Sequence, residues 1–300
     1  LSGVYTLTVS DANGCNIVQN GTVGYLQNGL LAGLTDLSGS ANSLKFYGTN
    51  EHVRVPYNSN LNSNTFTVET WLRRDVFGQE RAPLASRNTT TINGFSITVI
   101  NDTYRFWLGN GITWNQVIGP VANSDIWTHL ACTYDGTTAR MYVNGVLSGS
   151  ILTSYVPNTT DDFFIGSSSL SNSPGWLWNG AIDEVRVWNN ALTATEIKEW
   201  MSKKLNNSHP SFSNLQAYYQ FDQSSGSTLI DALGNYNGSL INMDPIFSWQ
   251  LSGAPIGNES KCAYPAVLLR DTLPNGNIIT VDNFQGNPDG VQLYQVLDTA

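Results

Sequence analysis

Chemistry on covalent bonds needs side chains arranged in a constellation, and this sequence offers few from which to build one. Its three histidines are scattered: His52 and His129 sit in apolar, strand-like stretches and His209 sits beside Pro210. No G-x-S-x-G nucleophile motif accompanies them, so no triad is legible. The three cysteines, Cys15, Cys132 and Cys262, are odd in number and far apart, without the C-x₂-C spacing of a zinc site. Cys132 lies in the apolar run Leu130-Ala131-Cys132-Thr133-Tyr134 and reads as a small buried hydrophobe. Cys15 and Cys262 lie outside that stretch, and their pairing, with each other or elsewhere, stays open. Recognition chemistry is better represented, because nine tryptophans are many for this length. Trp71, Trp107, Trp127 and Trp188 fall in strand patterns and are expected to fill the space between and over the sheets. Trp114, Trp176 and Trp178 fall in stretches rich in Gly, Asn and Ser, over 109–119 and 167–179, and are the candidate ligand-binding residues. A loop indole either stacks on a sugar face or a partner, or lies flat on its own domain.

The elements that position these residues are strands and turns. Phe66–Leu72, Gly94–Ile100 and Tyr104–Leu108 recur at a spacing that predicts a sandwich or barrel. Asp135-Gly136 separates His129–Tyr134 from Ala139–Val143, and Asn144-Gly145 turns the chain again, as tight hairpins require. One helix interrupts the pattern: Thr193-Ala194-Thr195-Glu196 is a capping box ahead of Ile197, Trp200 and Met201, an apolar edge expected to pack on the sandwich. The flanks read differently. Val4-Tyr5-Thr6-Leu7-Thr8-Val9 alternates strictly before the turn Asp11-Ala12-Asn13-Gly14, and Asn277–Val281 and Val291–Val296 read as two strands joined by Gln285-Gly286-Asn287-Pro288-Asp289-Gly290. The expected division is therefore 1–25, the end of one module; 26–257, the main domain; and 258–300, the start of a further β-rich module.

Composition bounds the partners. Only 12% of residues are charged, and the balance of Asn, Ser, Thr and Gly suits a secreted β-protein. A net charge of −9 with no Lys/Arg cluster argues against nucleic acid and anionic membrane surfaces. It does suit divalent cations of the extracellular kind. No apolar run is long enough for a membrane-spanning helix, Leu1 opens no signal peptide, and the chain is expected to begin inside a longer protein.

A succession of motifs carries a resemblance. Leu44-Lys45-Phe46-Tyr47-Gly48-Thr49-Asn50-Glu51-His52-Val53-Arg54-Val55-Pro56, then Phe66–Trp71, Trp127–Gly136, Tyr142-Val143-Asn144-Gly145, Ile165-Gly166 and Gly180–Leu192, followed by Leu215–Asp222, together resemble laminin-G-like, concanavalin-A-like lectin domains over roughly 41–250. Gly3–Cys15 resembles the end of an immunoglobulin-like repeat found in tandem in surface adhesins of gliding bacteria, the kind exported by type IX secretion. The resemblance implies an all-β, two-sheet jelly-roll sandwich with one short helix, flanked by partial β-modules, in a large secreted or cell-surface protein.

It also implies a calcium ion at the rim, which places candidate metal ligands at Gly48, Asn50 and Asp183. Relatives often have Asp at the positions of Tyr47 and Glu51, so two oxygen ligands of the family pattern are changed here. Alternation places Asp183 on the face of Val185 and Val187, where an unpaired carboxylate is costly. A cation, backbone N–H groups or Arg54 would each serve as its partner. Glycosidases share the architecture but need two carboxylates around one bond, and a glucanase branch carries them as Glu-x-Asp-x-x-Glu on one strand. The corresponding strand, Ala181-Ile182-Asp183-Glu184-Val185-Arg186-Val187, has apolar residues at both outer positions, so an enzyme is not expected. The expected function is an adhesion module that binds an extracellular glycan or protein surface beside neighbouring β-modules. The other reading is a structural spacer in a long fibre, with no ligand of its own.

Overall fold

The computed structural model describes residues 42–168 and 176–256 in full and, towards the two ends of the chain, the backbone of six further strands. In the main domain, numbered from β1, the strands are β1 (Asn42–Tyr47), β2 (His52–Val55), β3 (Phe66–Arg74), β4 (Arg81–Asn88), β5 (Asn93–Ile100), β6 (Thr103–Asn110), β7 (Trp114–Val121), β8 (Trp127–Tyr134), β9 (Thr138–Val143), β10 (Val146–Leu152), β11 (Phe163–Ile165), β12 (Asn179–Trp188), β13 (Leu215–Tyr219), β14 (Thr228–Leu229), β15 (Gly238–Ile241) and β16 (Trp249–Leu251). One α-helix, α1, spans Ala194–Trp200. The strands form two antiparallel sheets. The first has the order β7-β6-β5-β4-β11-β2-β15-β14; the second has β10-β9-β8-β3-β12-β1-β16, with β13 also paired to β12. The expected all-β sandwich is thus the architecture observed.

Each inner face supplies alternate residues to one core. Phe95, Ile97 and Val99 of β5 meet Phe66 and Val68 of β3 and Ile182 of β12, and the Phe66 and Phe95 rings stack at 4.9 Å. Cys132 is part of this core, where burial pushes its thiol pKa up, so it serves as the small hydrophobe its surroundings suggested. The turns follow their residue types. Asn144 and Gly145 both take positive φ, 48° and 74°, between β9 and β10, and the Asp135 carboxylate accepts from the N–H groups of Thr137 and Thr138 at the preceding turn.

The outer face of the second sheet is covered. In α1 the capping box forms in both directions: Glu196 N–H donates to Thr193 Oγ1 at 3.2 Å and Thr193 N–H donates to Glu196 Oε2 at 2.8 Å. Ile197 then packs against Trp188, Tyr142 and Tyr218 on that face, while Met201 packs against Trp71 and Trp127 with Ile256. Trp71, Trp127 and Trp188 therefore lie over a sheet, under the helix and the segments after it, rather than between the sheets. Among the described residues no helix is long and apolar enough to cross a membrane.

The flanking backbone pairs across the two ends of the chain. Gly3–Ser10, Asn16–Leu26, Gly29–Gly33 and Leu293–Val296 form one sheet, and Val267–Thr272 pairs with Ile278–Phe284. Leu293–Val296 is thus joined to Gly29–Gly33, not to the strand that precedes it in sequence. Cys15 and Cys262 lie outside the described residues.

Candidate functional site

One outer face is buried under the helix, and the helix leaves the outer face of the first sheet uncovered. Its composition follows from register. On β6, Tyr104, Phe106 and Leu108 enter the core, so Arg105 and Trp107 point outward and are half-buried. Three rows cross the sheet there. One runs Trp114, Gly109, Gly94, Arg87; the next runs Gln116, Trp107, Ser96, Ala85, Phe164, Arg54; the third contains Ile118, Arg105 and Thr98. Glycine is required within the first row: Gly94 has φ +87°, and a Cβ there would lie 2.1 Å from the Ser86 carbonyl oxygen. The two glycines place no side chain between Trp114 and Arg87 in this row, so the long Arg87 side chain reaches the Trp114 ring.

Across that gap the Arg87 guanidinium sits 5.7 Å from the Trp114 ring centre and 5.5 Å from that of Trp176. Arg87 donates from Nε to the Ser168 carbonyl at 2.9 Å, and among the described residues it has no carboxylate partner. Burial lowers its pKa from the usual arginine value, although it stays a cation. Trp107 Nε1 donates to Thr98 Oγ1 at 3.0 Å, and Arg105 donates to Gln116 Oε1 at 2.7 Å, which hold these side chains in place. At the tip of the loop before β7, Ile112 is 83% exposed. Ser96, Thr98, Ala85 and Phe164 of these rows are buried, so the accessible part of the face is made chiefly by the indoles, the guanidinium groups and the Gln116 amide.

Of the three tryptophans expected to bind ligand, Trp114 and Trp176 are brought together here, half-buried. Trp178 requires correction. It is 0% exposed and belongs to the central core, because its N–H donates to the Gly166 carbonyl and turns the side chain inward just before β12. Trp107 moves the other way, from expected core filler to the open face. The run Tyr104-Arg105-Phe106-Trp107-Leu108 is apolar at four of five positions, so only Arg105, which shares parity with Trp107, marked the outward side. Arg87 was missed: a lone arginine in Leu84-Ala85-Ser86-Arg87-Asn88 carries no signal of its own.

The candidate metal residues are not assembled. Tyr47 pairs with Asn179 and Leu44 with Ile182, so Asp183 lies about 13 Å along β12 from the Gly48 loop at ~3.3 Å per residue. Asn50 presents its carbonyl to His52 Nδ1 at 3.1 Å and to Asn242 Nδ2 at 3.3 Å. The loop is closed from within: Glu51 accepts from the N–H groups of Thr49 and Asn50, and the Arg81 guanidinium lies against Gly48. Gly48, Asn50 and Asp183 therefore do not fit one calcium cage. Among the described residues no group of three or more His, Cys, Asp or Glu side chains converges as a metal site.

Asp183 also faces the opposite way from Val185 and Val187. Glu184 takes φ 52°, and the register slips between Asp183 and Arg186, so one extra residue reverses the alternation. Val185 and Val187 enter the core, while Asp183 sits on the covered outer face, fully buried, accepting from Ser252 Oγ and, at 2.8 Å, from Glu184 N–H. The other proposed partner, Arg54, pairs with Asp162.

Beside Asp183 lies a buried ionic network. Arg186 donates to Glu184 at 2.8 Å and to Glu69 at 3.3 Å, and also to the carbonyls of Trp200 and Lys203 just beyond α1. Lys204 and Tyr218 donate to Glu184 at 2.7 and 2.6 Å. Burial opposes ionisation of Glu69, but His129 and Arg186 hold it down to about 2. The His129 contact is long at 3.5 Å, so Arg186 and Trp188 Nε1, both on Oε1, are the firmer partners. Burial alone would lower the Arg186 pKa, and Glu184 and Glu69 raise it instead. These carboxylates fasten the helix to the sheet and do not face solvent.

The chain belongs to the concanavalin A-like lectin/glucanases superfamily, whose Laminin_G_3 model matches residues 47–198, just over half of the sequence. Among solved structures, a candidate carbohydrate-binding protein from Bacteroides ovatus is 19% identical with a TM-score of 0.56, over 85% of this chain and 81% of that one. The heptameric SAP-like pentraxin of Limulus polyphemus is 16% identical with a TM-score of 0.48, over 70% and 99%. The CBM40 module of Ruminococcus gnavus IT-sialidase is 13% identical with a TM-score of 0.43, over 53% and 97%. At such identities the first likeness speaks for the shared fold alone. No curated protein matches the sequence significantly.

Proposed function

We propose that this chain is a carbohydrate-binding module of a larger secreted or cell-surface protein, and that it binds through the open face of the first sheet rather than catalysing a reaction. The observation that carries the reading is the Trp114–Arg87–Trp176 arrangement, on the one outer face that the helix leaves uncovered. Half-buried indoles present an apolar π face to the C–H face of a sugar ring, and the guanidinium groups and Gln116 supply directed hydrogen bonds for its hydroxyls. The superfamily includes lectins, which supports a binding role. Against catalysis, Asp183 and Glu184 are buried beneath the helix segment and satisfied by protein groups. The proposed site uses no cation.

Titration of the full chain against an oligosaccharide panel tests the reading. Trp114→Ala and Trp176→Ala are expected each to weaken binding by more than ~1 kcal/mol, the level that marks an anchoring aromatic, with an unchanged melting temperature. Failure of the unaltered chain to bind any member of the panel would favour the spacer reading.

A further inference from the structure

The chemistry of the open face specifies a class of sugar. The chain carries a net charge of −9, and most arginines of the described residues are neutralised locally: Arg54, Arg73, Arg74, Arg140 and Arg186 each hold a carboxylate. Arg87 and Arg105, two strands apart on the open face, hold none among the described residues. Of the five N–H donors of Arg87, one is used among the described residues, on the Ser168 carbonyl. The two indole faces offset part of the cost of removing this cation from water, but a partly desolvated charge without a counterion keeps a cost that an incoming anion removes. Arg105 lies about 16 Å from Arg87 by register, with Trp107 two residues along β6 from Arg105 towards the row of Arg87, so an extended chain of sugars would meet the two cations in turn.

The geometry points to an acidic oligosaccharide as the ligand, its carboxylate received by Arg87 between Trp114 and Trp176, with Arg105 as a second anion contact beyond Trp107. A planar carboxylate matches the guanidinium fork with two parallel hydrogen bonds, at a guanidinium that the two indoles hold in place. This inference rests on the open face being the sugar-binding site and adds to it the charge of the sugar.

The test is calorimetric titration of the full chain with oligogalacturonate and sialyllactose, each beside its neutral counterpart, carboxyl-reduced oligogalacturonate and lactose, and with a sulfated oligosaccharide. At least one carboxylated sugar is expected to bind about tenfold or more tightly than its neutral counterpart, as charge-assisted hydrogen bonds allow. That preference should shrink with added salt, as expected for partly exposed charges. Arg87→Gln should abolish it and Arg87→Lys retain part of it, with Arg105→Gln giving a smaller loss and melting temperatures confirming that each variant folds. Equal binding of acidic and neutral members, a preference unaffected by Arg87→Gln, or a preference for the sulfated sugar over both carboxylated ones overturns the inference and leaves the glycan reading standing. Binding to none of the panel overturns both.

Discussion

Single residues in this protein separate into those proposed to recognise a ligand and those that hold the fold, and burial distinguishes them. Trp114 and Trp176 keep part of their surface at the open face, whereas Trp178, two residues from Trp176, is wholly inside. Asp183, by its residue type a metal ligand or an acid, is a structural acceptor for Ser252 and Glu184 N–H. Asp183→Ala should therefore destabilise the chain by roughly 1–3 kcal/mol, the cost of stranding buried donors. Thermal unfolding checks this, and the loss should be the same in millimolar calcium and in excess chelator; a loss confined to the calcium sample would restore a metal role. Glu184→Ala has a larger expected effect. It leaves the buried Arg186 with Glu69 as its one remaining carboxylate among the described residues, leaves Lys204 with Asp222 alone and removes the acceptor of Tyr218, for a cost of about 3–5 kcal/mol in denaturant unfolding.

At the scale of elements, local signals acted where they were strong. The capping box at Thr193 and Glu196 starts α1 where the sequence places it, because two backbone donors are satisfied by side chains only three residues apart. Thr193→Ala is expected to cost roughly 0.5–2 kcal/mol, the usual value of an N-cap. The loss should appear as a lower melting temperature with sugar binding preserved, since the helix lies over the opposite sheet. The Asp-Gly and Asn-Gly hairpins were legible for a similar reason: residues tolerant of positive φ mark a tight turn. The bulge at Glu184 was not. Nothing in Asp183-Glu184-Val185-Arg186 announces an extra residue, and positive φ at a glutamate is adopted because the pairing of β12 with β3 and the ionic network around Arg186 require it.

Across the whole molecule the asymmetry of the sandwich matters most: one sheet is roofed by α1 and the segments around it, and the helix leaves the outer face of the other uncovered. The roofing also buries charge, which ties stability to pH. All three histidines have pKa values lowered from 6.5, first by burial, so each is neutral in the fold and more readily protonated when unfolded. A depressed value means that the stability is fully present above the unfolded pKa and is lost as pH falls below it. Melting temperature should therefore be nearly flat above about pH 7 and decline below 6.5. A second decline should begin below 4.5, as Glu69, held near 2 in the fold, has to take a proton. A melting temperature unchanged between pH 7.5 and 5.5 would show that burial of these rings is not coupled to folding in this way.

By itself, the sequence determined the class of architecture, the hairpins, the helix and its start, and the burial of Cys132. Each of these rests on contacts near in sequence or on periodicity, which a linear pattern can display. Tertiary structure alone decided which tryptophans face out, why Asp183 is satisfied without Gly48 or Asn50, and that Arg87 stands between two indoles. Those outcomes come from strand register: Trp114 meets Arg87 only because four strands align across Gly109 and Gly94, and one extra residue at Glu184 turns a carboxylate from one face to the other. Register across β4–β7 is set by the turns between successive strands and that of β12 on β3 by pairing between distant segments, and the order of residues along one strand contains neither.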